Sequence, residues 1–496
     1  MSKSGLITLW EVSLTIAVVL STALTFFIFT LPSGYNHFFP EEVREEDFSN
    51  EDKQDAERSG YAYYCKHKDR EDILKIDATV QVVVLGDIGR SPRMQYHALS
   101  IASHGGQVDL IGYVDSDVHP DVQASRLINV VPIAPLPKQL QTKSRVLFMF
   151  IAPLKVLWQI WSLYYALGFR TKASKFMLVQ NPPSIPTLAV AQFVCFFRNT
   201  RLVIDWHNFG YSILALRLGA RHPLVKVSEW YESICSRGAT AHFAVTDAMV
   251  RVLKQKWNIT AMALHDRPPK YFQPLTTEQR SALLYRLPET AQYADDIEKK
   301  AWRLIVSSTS WTPDEDFSVL LDALAAYSTK AGEPTETLPK ILAIITGKGP
   351  EKEFYLKKIR LMKDRGALQN VVVTTAWLTT EDYAALLGSA DLGISLHTSS
   401  SGVDLPMKVV DMFGTGLPVA GWNQFEAWPE LVKEGINGRG FDRPGTLDHI
   451  LQDLFGGLGD DGRQLERLRQ GALDECNRRW DDEWMPVAGK FFRLKS

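Results

Sequence analysis

The chain has 496 residues, of which 45% are hydrophobic and 23% are charged. These proportions are those of a globular protein of roughly two to three domains, and they exclude a fully disordered chain, a collagen and a multi-span transporter. Its 55 basic and 57 acidic side chains give a formal charge of −2, so no overall positive field favours binding to nucleic acid.

The N-terminal residues predict a single membrane anchor. No Asp, Glu, Lys or Arg lies between Glu11 and Glu41, and Val12–Leu31 is long enough to cross a hydrocarbon core. We expect an anchor over residues 1–34 and an acidic linker over 35–76. A cleaved signal peptide and a buried helix are the alternatives. The charges that flank the apolar stretch do not decide its orientation.

The next part of the chain alternates between strands, turns and helices. A continuous β-branched run, Thr79–Leu85, is typical of a strand that is covered on both faces, and a helix is expected from Pro92 to Ser103. Further strands are expected at Gln107–Tyr113, Phe176–Val179, Arg201–Asp205 and Ala241–Val245. The alternation predicts a doubly wound parallel sheet, and we assign residues 77–285 to this first Rossmann-like domain.

Two short motifs in this domain have ordinary alternatives. Gly86–Gly89 lacks the third glycine of a dinucleotide fingerprint, so a tight turn or a part of an acceptor site is expected there. Asp115–Asp117 matches an acid-x-acid metal motif, but a solvated turn explains it as well. The four cysteines, Cys65, Cys195, Cys235 and Cys476, lie far apart and predict neither a zinc site nor a disulfide framework. They fit a body exposed to a reducing compartment.

A second apolar stretch, Val146–Phe169, has two interpretations. Pro153 and Lys155 interrupt it, and Trp158 and Trp161 supply rings that favour a bilayer interface. The stretch could lie on a membrane as an interfacial helix or be a buried core helix of the α/β domain.

A second α/β series follows an acidic segment. Residues 286–300 read as an exposed loop, and a second Rossmann-like domain is expected over 301–479. A return segment rich in aromatic residues, 480–496, completes the chain. The expected elements are the strands Trp302–Ser307, Lys340–Thr346, Val371–Thr375 and Leu392–Leu396, and the helices Phe317–Ser328, Glu351–Asp364 and Thr379–Gly388. We predict a ligand cleft between the two domains, at the carboxyl ends of their strands.

The second domain carries the residues that suit a nucleotide diphosphate. Gly347, Lys348 and Gly349 directly follow a strand, where loop amides and a lysine can bind phosphate. An exposed turn is the alternative for these three residues.

The strongest pattern is HTSSSGVDLPMKVVDMFGTGLPV, residues 397–419. Its small-residue loop offers hydroxyl and amide donors at a strand end. A helix is expected from Pro406, with Asp404 at its mouth and Lys408 and Asp411 on neighbouring faces. These features predict a sugar-nucleotide site, whose loop residues are Ser399, Ser400, Ser401 and Gly402.

These residues resemble a known family. The two-domain pattern and the pair of acids Asp404 and Asp411 resemble the GT-B glycosyltransferases, whose retaining members carry E-x7-E at this place, although six residues and not seven separate the two aspartates here. Four longer words are similar to the chitobiosyldiphosphodolichol β-mannosyltransferases: IDWHNFGYSI (204–213), VSSTSWTPDEDFSVLLDAL (306–324), ITGKGP (345–350) and LHTSSSGVDLPMKVVDMFGTGLPV (396–419). The similarity covers about residues 78–480.

The resemblance implies a metal-independent, inverting transfer of mannose. The donor would be GDP-mannose, the acceptor chitobiosyl-diphosphodolichol, and the product a β-1,4 linkage. The catalytic body would lie on the cytosolic face of the endoplasmic reticulum membrane, with other dolichol-pathway mannosyltransferases as further partners. A catalytically silent membrane-bound scaffold and a related UDP-sugar transferase are the alternatives.

The resemblance also implies residue roles. The base should come from the first domain, where His207 and Asp205 are the candidates, with Asp87 behind them. By carry-over, Asp404 would assist the donor sugar and Asp411 would hold the ribose. The family's usual Arg and Lys on the first loop of the second domain are absent, and hydroxyl and amide donors of 307–312 would replace them.

Overall fold

The computed structural model describes residues 78–137, 145–312, 315–456 and 463–494, and seven residues of the N-terminal apolar stretch. The chain divides into two compact units. The first is Met1–Phe243 with Ala488–Ser496, and the second is Ala244–Val487. The division falls earlier in the chain than the boundary we predicted at residue 285, and the return segment belongs to the first unit from Ala488 onward.

The first sheet has seven strands in the order β3-β2-β1-β4-β5-β6-β7. They are β1 Thr79–Asp87, β2 Gln107–Tyr113, β3 Ile128–Pro132, β4 Phe176–Asn181, β5 Arg201–Trp206, β6 Ala241–Ala244 and β7 Met262–Ala263. β1 pairs in parallel with β2 and with β4, so the chain changes direction across the sheet between β1 and β4. Six consecutive residues of β1, Val80–Leu85, are buried, as the β-branched run predicted.

The helices of the first unit connect these strands. They are α1 Pro92–Ser103, α2 Pro120–Ala124, α3 Arg145–Tyr165, α4 Thr187–Arg198, α5 Gly210–Leu218 and α6 Pro223–Ser236. α3 continues into a π-helical turn, Ala166–Arg170. One side of this helix packs on the core, as a core helix would, and contact of the other side with a membrane stays a prediction. Leu163 is buried, whereas Leu157 and Trp161 are exposed.

The second sheet has six strands in the order β10-β9-β8-β11-β12-β13, and all five pairings are parallel. They are β8 Trp302–Ser308, β9 Lys340–Thr346, β10 Val371–Ala376, β11 Leu392–Ser395, β12 Val419–Trp422 and β13 Gly438–Phe441. The predicted strands of this unit are therefore confirmed to within about two residues. A hydrophobic core that includes Phe317, Tyr327 and Phe441 covers the sheet.

The helices of the second unit begin with α7 Asp247–Trp257, whose N-cap is Thr246. The others are α8 Thr277–Arg286, α9 Ala294–Glu298, α10 Phe317–Lys330, α11 Lys352–Asp364, α12 Thr380–Ser389, α13 Met407–Gly414, α14 Trp428–Leu431, α15 Pro444–Gly456, α16 Gln464–Cys476 and α17 Trp480–Trp484. A last short helix, α18 Lys490–Phe492, belongs to the first unit, where Phe492 packs on Phe176 and Phe243.

The acidic segment 286–300 is folded, and our prediction of an exposed loop was wrong there. It contains a 3₁₀ turn at Ala291–Tyr293 followed by α9. Ala294 and Ile297 are buried, and the Thr290 hydroxyl donates to the Leu284 carbonyl at 2.7 Å. The reason is that a few small or apolar side chains among the acids face the core, a pattern too short to stand out by periodicity.

The predicted anchor, Val12–Leu31, lies mostly outside the described residues. The seven described ones, among them Leu14, Val18 and Val19, are helical and exposed. The Thr25 hydroxyl donates to the Ser21 carbonyl at 2.8 Å, one turn back. Within the described ranges, no helix combines the length and the apolar character that crossing a bilayer requires.

Candidate active site

The candidate residues of the second unit lie at the carboxyl ends of three adjacent strands. Thr309 follows β8, Gly347 follows β9 and Leu396 follows β11. β8 has β9 on one side and β11 on the other, so the direction of winding reverses at β8. Ligands of open parallel sheets bind outside the carboxyl ends of the strands at such a reversal. The fold thus brings the predicted nucleotide-binding loops to one edge of the second sheet.

Glycines allow the loop after β9 to touch the loop after β8. A Cβ atom on Gly347 would lie 1.8 Å from the Thr309 carbonyl oxygen, and one on Gly349 would lie 1.8 Å from the Ser310 carbonyl oxygen. Gly347 also has a φ of +127°, which residues with a side chain rarely adopt. The Trp311 indole N–H donates to the Gly347 carbonyl at 3.2 Å. Glycine is therefore required at 347 and 349 by backbone contact between the two loops.

Lys348 is held at the surface of this site by an aromatic ring. Its ammonium lies 3.7 Å from the ring centroid of Trp377, which directly follows β10. A cation within about 6 Å of an indole face is attracted by the ring. The contact keeps an exposed positive charge beside the Gly347 loop. Trp377 was missed by sequence reasoning because nothing in the chain links it to residue 348.

Lys408 reaches the loop after β8 from helix α13. Its ammonium donates to the carboxylate of Glu315 and, at 3.3 Å, to the Ser310 hydroxyl. Glu315 is buried, and it also accepts the Thr309 hydroxyl and the Ser310 N–H, each at 2.6 Å. A lysine thus stands beside the loop that lacks the expected Arg and Lys. The sequence did not single out Glu315, which lies in an acidic run that reads as a solvated turn.

Asp404 organises the small-residue loop after β11. It precedes α13, as predicted, and accepts hydrogen bonds from the hydroxyls of Ser399 and Ser401, the latter at 3.2 Å. The Nε2 atom of His397 lies 2.9 Å from the second carboxylate oxygen of Asp404. Although burial opposes ionisation, the hydrogen bonds from His397 and Ser399 lower the pKa of Asp404. The loop is therefore held around a charged carboxylate.

Two further positions complete this loop. Gly402 has a φ of +77°, and its carbonyl accepts the Glu426 N–H at 2.8 Å. The Ser400 side chain is half-buried between the two serines that bind Asp404. His397 was part of the predicted word, but it received no role.

Asp411 lies one turn further along α13 than Lys408. Burial and the neighbouring carboxylate of Asp266 raise the pKa of Asp411 to about 8, although Lys408 opposes the shift. The carboxyl therefore holds a proton at neutral pH in the ligand-free protein. Asp266 was not recognised from the sequence, since it lies 145 residues away in the chain.

In the first unit, Asp205 and His207 form a pair at the carboxyl end of β5. The Nε2 atom of His207 lies 2.8 Å from an Asp205 carboxylate oxygen. Asp205 is completely buried and accepts two hydrogen bonds from Arg93, each 2.8 Å long, while His97 lies 3.2 Å away. Complete burial opposes ionisation, but Arg93 and His207 hold the pKa of Asp205 well below its usual range.

This network gives the two candidate bases different properties. Asp205 is fixed as a carboxylate by Arg93 and has no exposed surface. His207 is partly exposed, and a ring that donates from Nε2 to Asp205 keeps Nδ1 free of a proton. Arg93 and His97 lie on α1, more than 100 residues before Asp205. Their contacts with Asp205 could not be predicted from the sequence.

Glu232 fixes the loop that carries His207. It is buried, and it accepts hydrogen bonds from Asn181 and Ser184, at 2.7 Å each, and from the Gly210 N–H at 2.9 Å. The His207 N–H in turn donates to the Asn181 carbonyl at 2.8 Å. Burial raises the pKa of Glu232. The segment between β5 and α5 is therefore tied to the core at both ends.

The two short motifs of the first unit belong together. One carboxylate oxygen of Asp87 accepts the N–H groups of Gly89, Asp115 and Ser116, each at 3.2 Å. These bonds join the turns after β1 and β2. Asp87 thereby has a structural role in the turn, and it is less available as a base than His207.

A separate acidic cluster in the second unit contains His265. Within the described ranges, Asp247, His265 and Glu430 lie close enough together to hold a metal ion. Hydrogen bonds to Glu430 and Glu483 raise the pKa of His265 to about 9, so its ring is charged at neutral pH. Glu430 also accepts the Asp247 and Ala248 N–H groups, which makes the cluster a cap for α7.

Comparisons with known proteins agree with this arrangement. No family model matches the chain. It is 55% identical over 383 residues to chitobiosyldiphosphodolichol beta-mannosyltransferase of Arthroderma benhamiae, an alignment covering 77% of this chain and 85% of that protein. The Homo sapiens protein of the same name is 40% identical, covering 82% and 90%. UDP-glycosyltransferase TURAN of Arabidopsis thaliana is 41% identical, covering 82% and 95%.

Solved structures share the fold at low sequence identity. The Anabaena Alr3699/HepE structure in complex with UDP is 15% identical, with a TM-score of 0.57 and coverage of 84% of this chain and all of that one. Sucrose-phosphate synthase from Thermosynechococcus elongatus is 12% identical, with a TM-score of 0.58 and coverage of 84% and 98%. With the two parallel sheets, these likenesses support the predicted GT-B fold.

Proposed function

Because the chain belongs to the family of chitobiosyldiphosphodolichol beta-mannosyltransferases, we propose that it is a glycosyltransferase that moves mannose from GDP-mannose to chitobiosyl-diphosphodolichol. The product is a β-1,4-linked mannose, formed with inversion. The observation that carries the proposal is the meeting of the Gly347 loop, Lys408 and the Asp404 cluster at the point of reversal in the second sheet.

The second unit supplies the groups that a nucleotide diphosphate needs. The amides of the Gly347 loop lie with Lys348 and Lys408 at the carboxyl ends of the strands of the second sheet. There they can neutralise the leaving diphosphate. Asp411 lies on the same helix as Lys408, and its protonated carboxyl can both donate to and accept from a ribose hydroxyl. Asp404 holds the serine hydroxyls and His397 in place around the sugar.

The first unit supplies the base. His207 removes the proton from the 4-hydroxyl of the terminal acceptor sugar as that oxygen attacks the anomeric carbon of mannose. The bond from this carbon to the phosphate oxygen breaks, and GDP leaves with the electron pair. Asp205 orients the ring and stabilises the imidazolium that forms, a positioning role that its burial suits. The prediction that Asp205 is itself the base is therefore not retained in this proposal.

The acceptor's lipid sets the location. A dolichol chain stays in the bilayer, so the enzyme must act at a membrane surface, and GDP-mannose is a water-soluble donor. We propose that residues 1–34 anchor the chain in the endoplasmic reticulum membrane with both units on the cytosolic side. The apolar, uncharged stretch Val12–Leu31 supports this location.

A related activity with a UDP-sugar donor is the second candidate. It is favoured by one relative, the Arabidopsis protein, whose name is UDP-glycosyltransferase and which is 41% identical to this chain. The phosphate-binding groups described above would serve either nucleotide. Discrimination between the two donors must therefore come from contacts to the guanine or uracil ring and to the transferred sugar.

A donor panel tests the proposal. The full chain is purified in detergent and given a lipid-diphosphate chitobiose with GDP-mannose, UDP-glucose or UDP-N-acetylglucosamine. We expect product from GDP-mannose alone, and Lys408→Met is expected to reduce its formation by about tenfold or more, the effect of losing a charged contact to a phosphate. Equal product from the UDP-sugars would contradict the donor assignment.

A further inference from the structure

The first unit exposes an apolar surface on one helical hairpin. This hairpin surface consists of Leu216 and Leu218 on α5 and of Leu224, Val227, Trp230 and Ile234 on α6. Trp230 is 63% exposed, Leu216 61% and Val227 55%. The four α6 residues follow one another at spacings of three and four, so they form one stripe along the helix. The opposite side of α6 is buried through Val225, Ser228 and Glu232.

The exposed charges beside this stripe are mostly basic. Residues 210–237 contain the exposed Arg217, Arg221, Lys226 and Arg237, against the partly exposed Glu229 and the buried Glu232. The chain as a whole carries slightly more acidic than basic side chains, so this segment departs from its composition. An apolar stripe with an exposed tryptophan and basic flanks is the pattern of helices that lie in a membrane interface.

The hairpin is joined rigidly to the candidate base. α5 begins three residues after His207. Glu232, on the buried side of α6, accepts the N–H groups of Gly210 and Tyr211 at 2.9 and 3.3 Å. The position of the hairpin surface therefore fixes the position of the segment that carries His207.

The neighbouring helices extend the same layer. α6 contacts α4, and α4 contacts α3. α3 exposes Leu157 and Trp161, and α4 exposes Phe196 near its end. The helices that pack beside the hairpin therefore expose large apolar side chains of their own.

We propose that the hairpin surface docks onto the anionic phospholipid surface of a bilayer. Its apolar stripe enters the interface while Arg217, Arg221 and Lys226 contact lipid phosphates, a charge match that a neutral protein partner would not require. This inference rests on the proposed function for its purpose, since docking holds the segment that carries His207 at the membrane surface, where a lipid-linked acceptor lies. The docking itself does not depend on mannosyl transfer.

Fluorescence quenching tests the docking directly. The full chain is reconstituted in phosphatidylcholine–phosphatidylserine vesicles whose acyl chains carry bromine, a collisional quencher of tryptophan. We expect Trp230→Phe to remove a quenched component. The matched control is Trp377→Phe in the second unit, because Trp377 is also 63% exposed, and it is expected to remove an unquenched component. Equal quenching of the parent and Trp230→Phe would overturn the proposal, and a surface covered by a protein partner would give that result.

Kinetics then separate docking from catalysis. The double variant Val227→Gln, Trp230→Gln is compared with Phe354→Gln, Leu361→Gln, whose side chains are equally exposed at 64% and 55% in the second unit. With acceptor in vesicles we expect the first variant to lose about tenfold in kcat/KM and the second to be unchanged. With a short-chain acceptor in detergent both should match the parent. A loss in detergent as well would show a folding defect and remove this support.

The charge arm uses the triple variant Arg217→Gln, Arg221→Gln, Lys226→Gln. The parent is expected to bind more tightly to vesicles that contain phosphatidylserine than to vesicles of phosphatidylcholine alone. The triple variant is expected to lose this difference in affinity, by about fivefold for each charge removed. An unchanged preference would contradict the charge match. If the parent transfers no mannose at all, the quenching result still decides the docking, so the two proposals fail separately.

Discussion

At the scale of single residues, two aspartate–histidine pairs share a geometry and differ in surroundings. Asp205 is buried under Arg93 and His97, and it leaves His207 partly exposed. Asp404 is surrounded by serine hydroxyls and holds His397. In each pair the carboxylate stays charged and the histidine is the group that can meet a substrate. The first pair serves proton transfer in our proposal and the second serves the donor.

Replacing His207 tests its role as the base. We expect His207→Ala to lower turnover by about 10²–10⁴-fold, the usual contribution of a general base, and to leave GDP affinity within about twofold. His207→Gln keeps an N–H donor for Asp205 but cannot take a proton, so it should be as inactive while retaining the thermal stability of the parent. Turnover and GDP binding are measured on the same preparations. Near-normal turnover in His207→Gln would move the base to another group.

The raised pKa of Asp411 predicts that the stability of the folded chain depends on pH. Its pKa is about 8 in the folded chain against an ordinary value of 3.8, so the native state keeps a proton that the unfolded chain loses. This contribution to stability is fully present below about pH 4 and is lost as pH rises toward 8. Asp411→Asn lacks this loss, so its melting temperature relative to the parent should rise between pH 5 and pH 8, by roughly a few degrees. A difference independent of pH would mean that the carboxyl titrates normally.

Residue identities at the donor site could be read from the sequence, but their partners could not. The glycine–lysine turn and the serine loop were visible because local residue types carry their chemistry. Glu315, Asp266, Arg93 and Trp377 act through contacts that join distant segments, and a single sequence has no signal for such pairs. The sequence left Asp205 and His207 as alternative bases. Because Arg93 donates to both carboxylate oxygens of Asp205, our proposal assigns the base to His207.

At the scale of elements, the crossing of two loops shapes the donor site. Gly347→Ala would place a methyl group 1.8 Å from the Thr309 carbonyl oxygen and would strain a φ of +127°. We expect it to abolish measurable GDP binding, because the loop must move. The matched control is Gly435→Ala, at a position outside the donor loops that has a φ of +72° but no atom within 4 Å of the added Cβ. It should lose only about 1–2 kcal/mol of stability from backbone strain. Calorimetric titration with GDP separates the two, and equal affinities would contradict the close-packed geometry.

Regular elements were predicted well where hydrophobic runs were long. The nine predicted strands and α1 appear at the expected residues, because a strand buried on both faces has to be continuously apolar, whereas β3, β7, β12 and β13 were not predicted. Prediction failed at 286–300, where only Leu287, Thr290, Ala294 and Ile297 are buried and the charged and polar residues around them dominate the composition.

At the scale of the whole molecule, the chain consists of two doubly wound units, and the candidate donor-binding residues lie at the reversal point of the second. The fold class followed from the alternation of strands and helices, and the comparisons support it. The unit boundary at Phe243 was harder to predict, because α7 continues the pattern of the first series although it belongs to the second unit. Composition reports an average over such units and cannot locate the division.

The stereochemistry of the product tests the central claim most directly. The full chain is given GDP-mannose and a lipid-diphosphate chitobiose, and the released glycan is treated with β-mannosidase or α-mannosidase. A single displacement by a base-activated hydroxyl inverts the α-linked donor, so we predict one added mannose that β-mannosidase alone removes. A mannose removed by α-mannosidase, or no added mannose, would contradict the account.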